Sequence, residues 1–380
     1  MRLAIPKETA EGERRVAFVP ETVKRMIAKK IEVHIEAGAG AGAFITDDEY
    51  RTAGATIEPS LDALLAGADA VVKISVPTAE LVGRLREGST LISLLYPLVN
   101  RTLVKSLSDR KITAISADSI PRTTLAQMMD VLSSQATIAG YHAVLMAAQR
   151  LPKFFPMLMT AAGTIAPAKV LIVGAGVAGL QAIGTARRLG AVVEAFDVRK
   201  IVKEQVESLG AKFVEVESAE DAQTASGYAK ESSDEYKKKQ AETLHKHVAK
   251  SDVVITTALI PGLKAPTLIT ADMVHAMRSG SIIVDLAAEQ GGNCELTKPG
   301  EIIVDGGVTI IGKLNLPSEM AVHASQMYSR NMEKFIFHLV KDGKLNINLD
   351  EEITKGSVIT HEGNVVHARV AEAMAKDAGN

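Results

Sequence analysis

Four apolar residues, Val170-Leu171-Ile172-Val173, run directly into Gly174-Ala175-Gly176-Val177-Ala178-Gly179, and a helical pattern then continues to Arg188. No other stretch restricts the fold as strongly. A strand, a glycine turn and a helix in immediate succession open a dinucleotide-binding unit; the glycine spacing without those flanks carries little weight. Gly174 permits the tight turn, Gly176 lets the backbone approach a pyrophosphate, and Gly179 allows close helix–strand packing. Val177 begins the helix whose N-terminus faces the phosphates. The next strand ends at Asp197, 18 residues beyond Gly179. An acid there accepts hydrogen bonds from the adenosine ribose and repels a 2′-phosphate. NAD(H) is therefore expected over NADP(H), with Val198 and Arg199 beside Asp197 as further contacts. Arg199 also offers a charge that could neutralise such a phosphate.

The surrounding chain has room for two domains, since 380 residues exceed the usual domain size of about 100–200. Short β-branched runs alternate with helical segments throughout, which predicts an α/β fold with parallel sheets and crossover helices. Strands are expected near Leu3–Ile5, Glu32–Glu36, Ala70–Ile74, Leu91–Leu94 and Ile112–Ile115. A long helix near Leu125–Arg150 leads into a second set near Lys169–Val173, Val192–Phe196, Lys212–Glu215, Asp252–Thr256, Ser281–Asp285 and Val308–Ile311. Another long helix near Glu319–Val340 returns to the first domain, and Ser357–His367 reads as a hairpin turning on Glu362-Gly363. Ala68-Asp69-Ala70-Val71-Val72 echoes Ser251-Asp252-Val253-Val254-Ile255, which suggests related units in both halves.

Composition removes several function classes. Forty-three Lys+Arg against 45 Asp+Glu leave a formal charge of −2, and aromatics are only 4% with no Trp, so nucleic acid is not an expected partner. Cys294 is the only cysteine and no histidine set has ligand spacing, so neither a disulfide nor a metal site is expected. Charge returns within a few residues of Met1, and Val131–Gln149 is interrupted by polar residues; neither a signal peptide nor a membrane span is read.

Two further segments are candidates for function. Gln127, Asp130 and Ser133 recur every third residue, and Arg122 precedes them and can fold back on Asp130. Such a set reads as a solvated face, a helix cap, or a ligand-facing group at the entry to a domain cleft. Residues 217–240 contain no Val, Ile, Leu, Met or Phe, so they form either a solvated insertion or a flap. Leu259, in Thr256–Gly262 just past a strand's carboxyl end, is placed for cofactor contact or simple loop packing.

Ile5-Pro-Lys-Glu8, Glu13-Arg-Arg-Val-Ala17, Met159-Thr-Ala-Ala-Gly163, Lys203-Glu-Gln-Val-Glu-Ser-Leu-Gly210 and Asp285-Leu-Ala-Ala-Glu-Gln-Gly-Gly-Asn-Cys294 resemble the NAD(H)-binding subunit of proton-translocating NAD(P) transhydrogenases, over essentially the whole chain. Alanine dehydrogenases are similar in architecture. The resemblance implies two Rossmann-like domains: residues 1–133 completed by 325–380, and 134–324 as the NAD(H)-binding domain, with a mobile loop at about 217–240. It also implies a homodimer, membrane-spanning partner subunits, NADP(H) on a separate component, and a cytoplasmic location, peripheral on the bacterial inner membrane.

By the same resemblance Arg122, Asp130 and Ser133 orient the nicotinamide carboxamide and ribose, and Gln127 reaches towards the partner's nicotinamide. Tyr228 matches the mobile-loop tyrosine, with Gly227 and Gln240 contacting cofactor when the loop is shut. The substrate arginine and the lysine of alanine dehydrogenases match Arg15 and Lys73. Their catalytic histidine falls on Tyr96 and their later aspartate on Glu289, which removes most of the acid/base machinery of oxidative deamination; an alanine dehydrogenase-like amino-acid oxidoreductase and an NAD(H)-sensing module are the alternatives. Glu319 stands where many relatives carry Arg.

Overall fold

The computed structural model describes residues 1–216, 234–259 and 263–378. The chain forms two compact units, Met1–Gln135 with Ser318–Asn380, and Ala136–Pro317. The first begins with β1 (Arg2–Ile5), β2 (Glu32–Glu36), β3 (Thr56–Glu58), β4 (Ala70–Val72), β5 (Thr90–Ser93) and β6 (Thr113–Ser116). The second opens with a small hairpin, β7 (Leu158–Thr160) and β8 (Gly163–Ile165), followed by β9 (Lys169–Val173), β10 (Val192–Phe196) and β11 (Lys212–Val214). It continues with β12 (Val253–Thr256), β13 (Ile282–Asp285), β14 (Ile302–Asp305) and β15 (Val308–Ile311). Back in the first unit, β16 (Val340–Lys341) and β17 (Lys344–Leu345) make a short hairpin before β18 (Val358–His361) and β19 (Asn364–Val365).

The two large sheets share a plan. Their orders are β19-β18-β6-β5-β4-β1-β2-β3 and β11-β10-β9-β12-β13-β15-β14, so each opening strand, β1 or β9, lies between the second and fourth of its set. This is the doubly wound arrangement, with a switch point beside the opening strand. The echo seen in the sequence has a structural counterpart. Asp69 accepts from the Arg2 N–H at 2.8 Å and donates its own N–H to the Arg2 carbonyl at 3.0 Å. Asp252 does the same to Lys169, at 2.8 and 2.9 Å. Both acids thus pin the start of the fourth strand to the start of the first.

Side-chain alternation explains why these strands are buried on both faces. Val170 and Ile172 of β9 enter one core with Val253, Ile255, Ile282 and Val284, whereas Leu171 and Val173 enter the opposite one with Val254 and Ile283. In the first unit Leu3, Ile5, Val72, Ile92 and Ile115 face one core and Ala4, Val71, Leu91 and Ala114 the other. Near-continuous apolar strands are what helices on both faces of a parallel sheet demand, each large buried side chain contributing about 1.5–3 kcal/mol.

The expectation of parallel sheets needs one correction. β18 runs antiparallel to β6 and β19, and β14 antiparallel to β15, so both sheets are mixed. Tight turns set two of these pairings, β18 with β19 and β14 with β15. Glu362 and Gly363 have φ +48° and +81°, and Gly306 and Gly307 have φ +54° and +82°; two left-handed residues in succession make a tight hairpin. The first turn was expected; β14 was missed.

The helix expected from Leu125 begins instead at Val131, after a 3₁₀ turn Gln127–Met129. Asp130 is extended, with ψ 92°, and its carboxylate accepts from the Ser133 N–H at 2.8 Å. Helical propagation through Asp130 would forfeit that cap. Further along the same helix Gly140 lies so close to the helix Val177–Arg188 that a Cβ would sit 2.1 Å from the Ala178 carbonyl oxygen.

Candidate functional site

The turn after β9 has the geometry its glycines imply. Gly174 has φ +104°, and a Cβ on it would lie 2.5 Å from Thr257 Oγ1. At Gly179 a Cβ would lie 1.9 Å from the Gly174 carbonyl oxygen, so this glycine is required by packing alone. Gly176 differs, because nothing lies within 4 Å of its Cβ position. It caps the N-terminus of the helix that starts at Val177, with ordinary extended φ, and Val177 is 43% exposed. A glycine needed neither for its conformation nor for internal packing, at a helix start open to solvent, fits the close approach of a phosphate.

Asp197 stands at the end of β10. Its Oδ2 accepts from the Ala175 N–H at 2.7 Å, which fixes the acid to the glycine turn. The Arg199 guanidinium grips both oxygens, from Nε at 2.9 Å and a terminal nitrogen at 2.8 Å, and the Arg199 N–H adds a bond of 2.9 Å. Arg199, a possible partner for a 2′-phosphate, is thus spent on Asp197. Val198 is partly buried against the core on that face of the sheet.

On the other side of β9, Thr257 follows β12 and donates Oγ1–H to the Gly174 carbonyl at 3.0 Å. Thr257 lies in the segment singled out with Leu259, but this contact is not legible from spacing. Leu259 is 40% exposed at the same end of the sheet. The fingerprint, Asp197 and Leu259 therefore converge at the carboxyl ends of β9, β10 and β12. With Gly176 open and the Asp197 carboxylate beside the turn, the residues fit a dinucleotide.

In the first unit, Ser133 Oγ donates to Asp130 Oδ2 at 2.6 Å, and Arg122 Nε lies 3.9 Å from the same oxygen. The foreseen fold-back of Arg122 is present, and Gln127 is exposed in the 3₁₀ turn. Gly227 and Tyr228 lie outside the described residues. Of the segment 217–240, the portion from Asp234 belongs to the helix Asp234–Val248, where Gln240 is half-buried.

A buried charged cluster also occupies the first unit. Arg15 is bound by Glu13 at 2.6 Å and by Gln135 at 2.9 Å, and Lys73 by Glu8 at 2.8 Å. Burial opposes the Arg15 charge, but the Glu13 carboxylate holds its pKa above the ordinary value. Tyr328 donates to the Lys73 carbonyl at 2.8 Å, and burial pushes its phenol well above the usual range. Tyr96, at φ +44°, is 38% exposed, and its N–H donates to Asp118 at 3.2 Å. Glu289 accepts the Asn315 N–H at 2.7 Å. Among the described residues no group of His, Cys, Asp or Glu could hold a metal ion.

Comparison with known proteins places this architecture. Residues 4–139 match the family model for the alanine dehydrogenase/PNT N-terminal domain, and residues 143–368 match its C-terminal domain counterpart. The chain is 51% identical over 376 residues to the first part of NAD(P) transhydrogenase subunit alpha from Rhodospirillum rubrum, covering 97% of this chain and 98% of that protein. It is 30% identical over 382 residues to alanine dehydrogenase of Halomonas elongata, covering 98% and 97%. The solved structure of transhydrogenase from Sinorhizobium meliloti has a TM-score of 0.88 at 44% identity, covering 96% of this chain and 100% of that one. Both halves of the sequence and the whole course of the backbone agree: the chain belongs to the alanine dehydrogenase/PNT family.

Proposed function

We propose that the chain is the NAD(H)-binding component of a proton-translocating transhydrogenase, passing hydride from NADH to NADP⁺ held by a partner component. Tyr96 carries the choice between the family's two activities. Oxidative deamination needs a base for the amine and the attacking water, and a phenol with a reference pKa of about 10 is a poor one near neutral pH. When bound, NADH supplies a hydride from its C4 to the C4 of NADP⁺, and this transfer asks no acid or base of the chain.

What the chain supplies is position and dryness. The Gly174–Gly179 turn and the helix from Val177 hold the pyrophosphate, while Asp197, Val198 and Arg199 hold the adenosine ribose. Leu259 contacts the cofactor beyond β12. Arg122, Asp130 and Ser133 orient the carboxamide and ribose of the nicotinamide, Gln127 reaches towards the partner's ring, and Tyr228 with Gly227 and Gln240 closes over the cofactor.

Among the described residues no helix is long and apolar enough to cross a membrane. Proton movement is assigned to membrane-spanning partner subunits, with the chain docked as a homodimer on their cytoplasmic face. The subunit naming of the Rhodospirillum rubrum relative supports the existence of partner subunits. Titration of the chain with NADH and with NADPH, together with an assay for alanine-dependent NADH formation, tests the reading. Tight NADH binding without alanine turnover is expected; alanine turnover would return the chain to the amino-acid dehydrogenases.

A further inference from the structure

Asn293 is fully buried, and its amide grips one residue from both sides. Oδ1 accepts the Ala258 N–H at 2.9 Å, and Nδ2 donates to the Ala258 carbonyl at 2.8 Å and to the Pro266 carbonyl at 2.8 Å. Both amide hydrogens are thereby used. A neighbouring strand would satisfy Ala258 in the same way, but one side chain does so here, at the point where β12 has ended.

Asn293 is itself rigidly placed. Gly291 and Gly292 precede it with φ +95° and +85°. The buried Asp285 carboxylate accepts from the Cys294 N–H at 2.9 Å and from Thr297 Oγ1 at 2.6 Å. The Asn293 carbonyl accepts from the N–H groups of Leu268 and Ile269 at 2.8 and 3.0 Å. The anchor therefore stands on β13 and its following turn.

Ala258 lies between Thr257, which bonds the Gly174 carbonyl, and the exposed Leu259. These residues follow β12, whereas Asp197 follows β10 on the opposite side of β9. In a doubly wound sheet the two halves of a dinucleotide lie on either side of that switch point. Asp197 takes the adenosine half, which leaves Thr257–Leu259 beside the nicotinamide half.

Resting on the NAD(H)-binding reading, we infer that Asn293 is a positioning residue for the nicotinamide half of the cofactor, acting through the Ala258 peptide. Replacing it leaves the N–H and carbonyl of Ala258 and the carbonyl of Pro266 without their partner, while the adenosine side keeps every bond. The test is calorimetric titration of the wild-type chain, Asn293→Ala and Asn293→Ser with NADH and with 5′-AMP, the probe for the adenosine half. Asn293→Ala should weaken NADH binding by about tenfold and leave 5′-AMP binding within about twofold, the scale of buried bonds lost at one end of the ligand.

If Asn293→Ala does not fold, Asn293→Ser, which keeps a hydroxyl at the site, should show the same split. Unchanged NADH affinity in a folded variant overturns the inference. So does an equal loss for both ligands, which is what a merely structural role produces. A wild-type chain that binds 5′-AMP but not NADH overturns the cofactor reading and this inference together.

Discussion

Asp197 and Arg199 are locked together at the end of β10, with the guanidinium donating to both carboxylate oxygens at 2.9 and 2.8 Å. The N–H groups of Ala175 and Arg199 add two more bonds, so the acceptor sites of the carboxylate, about four in number, are all taken. A ribose diol must therefore displace Arg199 donors to reach the acid. On the proposed NAD(H) reading the pair acts as a two-part selector: Asp197 repels a 2′-phosphate and also engages the nearest cation.

That arrangement predicts the effect of Asp197→Asn. The repulsion disappears, and the Arg199 guanidinium loses its bidentate carboxylate partner at position 197. The preference for NADH over NADPH should narrow by about tenfold or more in equilibrium titration, a lost charge interaction of modest size. An unaltered preference would place selectivity elsewhere in the chain.

Gly176 and Gly179 should separate function from folding. A Cβ at Gly179 collides with the Gly174 backbone, so Gly179→Ala should destabilise the second unit by roughly 3 kcal/mol or more. Gly176→Ala meets open space and should leave thermal unfolding nearly unchanged while weakening NADH binding. Equal stability losses for the two variants would contradict these roles.

Glu351 sets an acid limit on the first unit. Burial raises its pKa, but the N–H groups of Ile353 and Thr354 at 2.9 and 2.7 Å, and His338 at 2.9 Å, outweigh it and bring the value to about 2. The folded pKa lies below the ordinary 4.5, so the unfolded chain binds the proton more readily between those values. The stabilisation is fully present above pH about 4.5 and is lost as pH falls towards about 2. The difference in Tm between wild type and Glu351→Gln should shrink over that window and stay constant above it.

Cys294 should be inert in the native chain. It is buried, and burial is the main cause that pushes its thiol pKa upward. Thiol reagents should label it only after unfolding, and rapid labelling of folded protein would contradict its place in the core.

The sequence made the framework of the fold legible wherever one residue type answers to one physical need. The apolar runs of β9, β12 and β13 announced a sheet covered on both faces, and Glu362-Gly363 announced a hairpin. β14 is not legible in the sequence because its Ile-Ile-Val run is half-exposed at an edge of the sheet. The helix start at Val131 was misplaced because Leu125, Met128 and Met129 continue a helical pattern; the Asp130 cap overrides it. The place of Asp197 at the end of β10 was legible from the strand pattern, yet its union with Arg199 was not, because spacing does not reveal rotamers. Asn293 and Glu8 stood within recognised motifs, but their roles depend on partners 35 and 65 residues away.

The central claim is that this chain supplies one of two facing nicotinamide sites, and it is tested most directly by mixing it with an isolated NADP(H)-binding component. Reduction of an NAD analogue by NADPH should appear in the mixture and in neither component alone. No transfer in the mixture, with alanine-dependent NADH formation by this chain alone, would contradict the account.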